Sequence, residues 1–298
     1  MLGPALILAL AVGWGLNWPV MKIGLLEFPL WTFRGSACLV AGLCLLALAP
    51  LAGGRAIPRS GDWRSLAVAA FFNVTIWQIF IAYGLRLVAS GEAALLAFTM
   101  PLWAVFLGRV VLGETLGSRG GAALILGTAG IVVLLTRDFT ALARAPTGVA
   151  MVVIGAAAWA VGTLIQKRHH TSLTTVALAG WQLTLGALPM MVMIPLLEGW
   201  HPPAVSVAAW LSLTYTTFVA LVLCWYLWFK IVSLMPMNIA SISTLLVPAV
   251  GVISGALMLH EEIGVREILA LALIATALAL VLTRPAAPAA AADQVTPG

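Results

Sequence analysis

The sequence predicts an all-α integral membrane protein: ten transmembrane helices in two inverted five-helix repeats around a central cavity. Three observations predict it. Of 298 residues, 62% are hydrophobic and only 8% charged, against about 25% charged in a soluble domain. Apolar runs of membrane-spanning length, about 20 residues each, follow one another along nearly the whole chain. The chain also resembles itself at a constant offset.

Apolar surface on this scale has no core to fill in water and suits contact with lipid. The runs are continuous rather than alternating, which excludes a β-barrel. Only helices otherwise satisfy their backbone in hydrocarbon. Helices are expected near residues 3–22, 29–50, 63–86, 91–113, 117–136, 147–167, 173–197, 205–230, 236–259 and 264–284. The chain is apolar from Leu2 and has no Lys or Arg before Lys22, so the first run reads as a retained helix, not a cleaved signal peptide. Cys38, Cys44 and Cys224 all lie inside apolar runs, which speaks against a disulfide framework. Loops on the side of the two termini hold nine basic residues and the opposite loops five. That bias predicts both termini in the cytoplasm of a bacterial-type inner membrane. The net charge of +5 is read through the same rule and not as affinity for nucleic acid. The Ala- and Pro-rich stretch 285–298 reads as a disordered cytoplasmic tail.

A shift of 147 residues aligns Trp63–Arg137 with Trp210–Arg284 without a gap, and 19 of the 75 positions are identical. They include Trp63/Trp210, Phe71/Phe218, Pro101/Pro248, Gly108/Gly255, Glu114/Glu261, Gly117/Gly264 and Arg119/Arg266. A shift of 145 aligns Trp14 with Trp159 and Lys22 with Lys167. Matched Trp, Pro, Glu and Arg residues are not what two Leu/Ala-rich chains share by composition alone. The halves are therefore residues 1–140 and 141–284. Five spans per half is an odd number, so the second half enters the membrane inverted. Inverted halves are the signature of alternating-access transport.

The residues Trp14-Gly-Leu-Asn-Trp-Pro-Val-Met-Lys22, Arg34, Pro101 and Gly113-Glu114 resemble the EamA-type family of the drug/metabolite transporter superfamily. The second half echoes them in Trp159-Ala-Val-Gly-Thr-Leu-Ile-Gln-Lys167, Pro248 and His260-Glu261. The resemblance covers residues 1–284. It implies ten helices in two inverted repeats, a central cavity, and export of metabolites such as amino acids, or of drugs. The halves differ in chemistry: Gly15 is matched by Ala160, and Arg34 has no basic counterpart near Gln182.

No phosphate-binding G-x-x-x-x-G-K-[ST] loop occurs, so ATP hydrolysis is not expected, and neither is a cofactor or a metal. Every Asp and Glu falls at or beyond an expected helix end, which predicts no mid-membrane carboxylate relay and hence facilitated diffusion. The cavity is then lined by neutral polar and aromatic groups. Candidates in the first half are Trp14, Asn17, Trp18, Asn73, Trp77, Gln78 and Tyr83; the second half offers Trp159, Thr163, Gln182, Tyr215 and Trp225, with Trp181 and Tyr226 also weighed. Amides in lipid must be paired, so these face the protein interior, either holding a substrate or bonding helix to helix. Indole and phenol faces suit an aromatic side chain or a delocalised cation. Trp63, Trp200 and Trp210 read as interface anchors. Pro19, Pro101 and Pro248 are hinge candidates, because proline removes a helix bond and bends its neighbours. Glu114 and Glu261 are expected to cap the helices that follow them. Arg34 reads as a snorkelling anchor or a substrate-carboxylate partner, with the anchor preferred. His169-His170 reads as a solvated loop.

The expected function is export of small organic metabolites, most readily amino acids including aromatic ones, from a monomer or weak homodimer in the bilayer. A lipophilic-cation or drug exporter is the alternative. An intramembrane enzyme would need a nucleophile–base set or metal cluster at membrane depth, and the four histidines all sit near loops. A receptor or scaffold has no need of duplicated inverted halves.

Overall fold

The computed structural model describes residues 2–113, 118–135, 145–169, 171–199, 204–234 and 237–282. The sequence expectations for Glu114, Gly117, His170, Trp200, His201 and the 285–298 tail fall outside them. The first half contains α1 (Leu2–Glu27), α2 (Leu30–Leu48), α3 (Trp63–Ala70), α4 (Trp77–Leu87), α5 (Ser90–Ala97), α6 (Met100–Leu112) and α7 (Ser118–Leu135). The second contains α8 (Ala145–Arg168), α9 (Thr175–Met193), α10 (Val207–Thr214), α11 (Cys224–Leu234), α12 (Met237–Leu259) and α13 (Val265–Leu282). Among the described residues, seven helical segments are long and apolar enough to cross a membrane. Ser118–Val133 and Leu246–Leu259 are shorter apolar helices.

Several of the described spans depart from a plain α-helix. Wide π-helical turns at Phe71–Ile76 and Tyr215–Leu223 join α3 to α4 and α10 to α11. A third, Ile194–Glu198, extends α9. The expected helix over 91–113 is broken instead into α5 and α6. Pro101 explains the break: it has no N–H to give, and its ring crowds the carbonyl one turn back. The chain turns at Phe98–Thr99, where the Thr99 hydroxyl donates to the Leu96 carbonyl at 2.6 Å. Pro101 thus lies in the first turn of a new helix, while its match Pro248 and Pro19 stay inside α12 and α1.

Packing runs largely between the halves. α2 lies along α9, α7 along α13, and α12 against α1 and α5. α8 packs on α4 and α6, as α1 packs on α10 and α11. Glycines permit the close approaches: Gly42 faces the Gly180 carbonyl and Thr184, and Gly84 faces the Gly148 carbonyl and Val152. Small residues matter here because helices in lipid associate by packing, not by a hydrophobic drive.

Arg34 corrects the snorkelling expectation. It is only 3% exposed, and its Nη1 donates to the Met21 sulfur at 2.8 Å. It stands one turn into α2 with its head group turned to Met21 of α1.

Candidate functional site

Four elements bring indoles together inside the bundle. Trp77 of α4 meets Trp159 of α8 with ring centroids 5.1 Å apart. Trp159 meets Trp225 of α11 at 6.4 Å. Trp225 meets Trp14 of α1 edge to face at 6.5 Å, and Trp14 meets Trp228 at 6.3 Å. All five rings are half-buried. Each half supplies partners to the other: Trp14 goes to the α11 rings, Trp159 to Trp77. Both π-helical turns end just before these rings, at Ile76 and Leu223. Such a turn re-aims the residues that follow it and recurs at functional sites.

Polar groups flank the rings. The Trp14 indole N–H donates to the Ala220 carbonyl at 2.9 Å, and the Tyr215 hydroxyl to the Gly13 carbonyl at 3.0 Å. The Thr216 hydroxyl donates to Asn17 Oδ1 at 3.0 Å. Asn73 Nδ2 donates to Gln166 Oε1 at 3.3 Å and to Gln182 Oε1 at 3.4 Å. Asn73 Oδ1, Gln78 Oε1 and Gln182 Nε2 are buried without a hydrogen-bond partner. A buried orphan of this kind is costly.

The other sequence candidates are dispersed. Trp18 is buried against Gly251 of α12. The Thr163 hydroxyl bonds back to the Trp159 carbonyl at 2.9 Å. Tyr83 is exposed at the far end of α4, where its hydroxyl accepts from the Trp31 indole at 3.3 Å, away from the rings. Trp181 donates to the Ala56 carbonyl at 2.9 Å and meets Trp63 edge to face, and Tyr226 is exposed. Trp228, Thr216 and Gln166 were missed. Trp228 sits three residues after Trp225 and Gln166 seven after Trp159, so helical spacing signals both.

At one end of the bundle Lys22 Nζ lies 3.0 Å from Glu261 Oε1. Contrary to the sequence expectation, Glu261 does not cap the helix that follows it; it caps α5, accepting from Ser90 N–H at 2.7 Å and Gly91 N–H at 3.2 Å. Glu267 takes the local role, accepting from Gly264 N–H at 2.8 Å. Burial alone would push the Glu261 carboxyl up. The Ser90 amide and hydroxyl and Lys22 outweigh burial and hold it below the usual range.

Residues 1–136 and 146–283 each match the EamA-like transporter family. The chain belongs to that family. Curated relatives of this EamA-like chain span its length. An uncharacterized transporter, YvbV, of Bacillus subtilis (strain 168) is 28% identical over 294 residues, covering 97% of this chain and 94% of that one. A probable amino-acid metabolite efflux pump of Escherichia coli (strain K12) is 28% identical, covering 92% of each. Its counterpart in Salmonella typhimurium is 27% identical, covering 87% of each. A solved structure titled only as the crystal structure of a protein superposes with a TM-score of 0.64 at 19% identity, covering 93% of this chain and 96% of that one, a likeness of fold. EamA-like proteins and these named relatives are transporters, not enzymes, and the chain is a multi-pass membrane protein of the same kind.

Proposed function

We propose that this EamA-like transporter exports small organic metabolites, foremost amino acids including aromatic ones, by alternating access. The observation that carries the reading is the shared ring group: Trp77, Trp159, Trp225 and Trp14, drawn from both halves and bordered by orphaned amides. Indole faces hold an apolar or aromatic side chain, and the amide groups of Asn73, Gln78 and Gln182 bond an ammonium or carboxylate. Charge on the solute needs no full counter-charge when amides and dipoles surround it.

The architecture behind the reading is ten helices in two inverted five-helix repeats, 1–140 and 141–284. Two features support it: the family matches each half separately, and the helix contacts exchange between halves. α1 packs on α10 and α11 while α8 packs on α3 and α4; α2, α5 and α7 pack on α9, α12 and α13. A twofold relation generates that set of partners. Inversion then makes the two ends of the site interchangeable, which is what alternating access requires. Location in a bacterial-type inner membrane with both termini cytoplasmic belongs to this proposal, and so does a monomeric or weakly dimeric state.

Uptake into liposomes tests it, with labelled amino acids and a lipophilic dication in parallel. Saturable flux of aromatic amino acids supports the reading. Flux of the dication alone favours a drug exporter, to which the same ring faces are suited. Flux of neither overturns both.

A further inference from the structure

Three carboxylates close one end of the bundle, and each reaches from one half of the chain to a helix start in the other. Glu27, the last residue of α1, accepts from the Ser206 N–H at 2.7 Å and hydroxyl at 2.6 Å. Glu198 accepts from Trp31 and Thr32 N–H, both at 2.7 Å, and from the Thr32 hydroxyl at 2.8 Å. Glu261 accepts from Ser90 N–H and hydroxyl, both at 2.7 Å, as well as from Gly91 and Lys22. The first amides of a helix lack partners within it and carry the positive end of its dipole, so a carboxylate is a strong cap. Lys22 adds a tie of its own, donating to the Val88 carbonyl just past α4 at 2.7 Å.

Beneath Glu261, the helices it joins meet through glycines. Gly15 of α1 faces Val250, Gly91 of α5 faces Val252, and Gly251 of α12 faces Ala94 and Trp18. Gly255 lies under the Glu261 carboxylate and the Ser90 hydroxyl, where a Cβ would collide with both. Such a seam holds by close van der Waals contact. Polar bonds at its rim add a second tie, and they stand where water reaches them: the Lys22 and Glu261 side chains are 19% and 14% exposed. Water replaces a polar bond at such a rim, as it cannot in hydrocarbon.

We propose that Lys22, Ser90 and Glu261 are the latch of a gate at this end of the bundle. Closed, they pin the end of α12 to the start of α5 and the last turns of α1, over Trp18 and Trp14. Trp14 lies eight residues before Lys22 on α1, about 12 Å along the helix. Released, α12 parts from α5 and α1 along the glycine seam and opens the ring group on this side. Glu27 ties α1 to the start of α10 and Glu198 ties the end of α9 to α2, so neither holds α12 and the latch opens without them. The inference rests on the transport reading, and its test separates the two.

The test uses the full chain with Cys38, Cys44 and Cys224 replaced by Ala and one reporter, Ala94→Cys, one turn into α5 on the seam. Reconstituted in phosphatidylethanolamine–phosphatidylglycerol liposomes, it is treated with a charged methanethiosulfonate. Glu261→Gln and Lys22→Met are each expected to raise the modification rate about tenfold, the population shift from one lost charge-assisted bond. Glu261→Asp restores part of the protection, and Ser90→Ala gives a smaller rise. Rates within about twofold of the parent in the folded charge variants overturn the latch. Should those variants not fold, a parent-like rate in Ser90→Ala overturns it equally. Amino-acid flux is read on the same vesicles. Faster labelling without flux in the parent supports the latch and removes the substrate reading; normal flux with unchanged labelling removes the latch alone.

Discussion

Trp14 of α1 and Trp225 of α11 meet edge to face, with ring planes at 83°. The two belong to opposite halves, and Trp159 extends the contact to Trp77. An indole here touches the other half of the chain and, on the proposed function, the solute as well. Trp14→Ala and Trp159→Ala are each expected to lower flux of labelled tryptophan or phenylalanine about tenfold, the equivalent of roughly 1.4 kcal/mol of lost aromatic contact. Trp159→Phe keeps most of the rate. Initial uptake at matched protein content is the measurement, and parental rates in both alanine variants would remove the rings from the site.

Gly162 of α8 lies directly against the Asn73 side chain and the Ala69 carbonyl, so an added Cβ would collide with both. Gly155, two turns earlier, would meet only Ile81 and Phe80 at 3.4 to 3.5 Å, an ordinary contact. Gly162→Ala is therefore expected to destabilise by about 1–3 kcal/mol through overpacking, and to lower flux by displacing Asn73. Gly155→Ala is expected to leave stability near the parent's. Thermal unfolding of the two in detergent checks the contrast; equal midpoints would mean that α8 and the π-helical turn Phe71–Ile76 repack freely around Asn73.

Part of the ring group was legible by duplication: Trp14 and Trp159 stand at matched places in two echoes of one motif. Its full extent was not, since Trp228 has no counterpart at the same offset and the π-helical turns leave no periodic signature. Tyr83 shows the limit of reading a span without its neighbours. Its face of α4 was unknown until Trp31 was placed beside it. Arg34 failed for the opposite reason: distance from a helix end was legible, but burial between α1 and α2 was not. The carboxylate caps at Glu27 and Glu198 pair residues 179 and 166 or more positions apart. No local rule finds such a partner, and the capping rules point to the next helix, as they did for Glu261.

The Glu261 cap predicts acid sensitivity of a definite sign. Its folded-state carboxyl titrates below the ordinary value of 4.5, held there by Ser90 and Lys22 against the effect of burial. A depressed carboxyl contributes stability that is fully present above the unfolded value and is lost as pH falls through the folded one. The unfolding midpoint in detergent is thus expected to fall below pH 4.5. Glu261→Gln should unfold earlier at neutral pH and show a shallower acid decline. The two charged groups in contact here are Lys22 and Glu261, and the decline follows the carboxylate. A decline in the variant as steep as the parent's would assign it to other caps, such as Glu27 and Glu198.

Coupling is decided by where the carboxylates stand. Among the described residues, Glu27 and Glu198 close helical segments, Asp62, Glu92 and Glu267 stand at helix starts, and Glu261 and Glu262 lie between α12 and α13. None is at mid-helix depth, where a carboxylate carrying protons with the substrate would sit. Glu92 is the most buried of them, and its Oε2 accepts from the Ala89 N–H at 3.3 Å within its own first turn. Transport is therefore expected to run down the substrate gradient. Under a fixed amino-acid gradient in liposomes, an uncoupler should leave the initial rate unchanged, and an imposed proton gradient should drive no uphill accumulation. Strict dependence of flux on the proton gradient would require a relay among these end-of-helix groups or the segments between them. Glu261→Gln would then be the first variant to assay, because Glu261 is the carboxylate shared by α1, α5 and the end of α12.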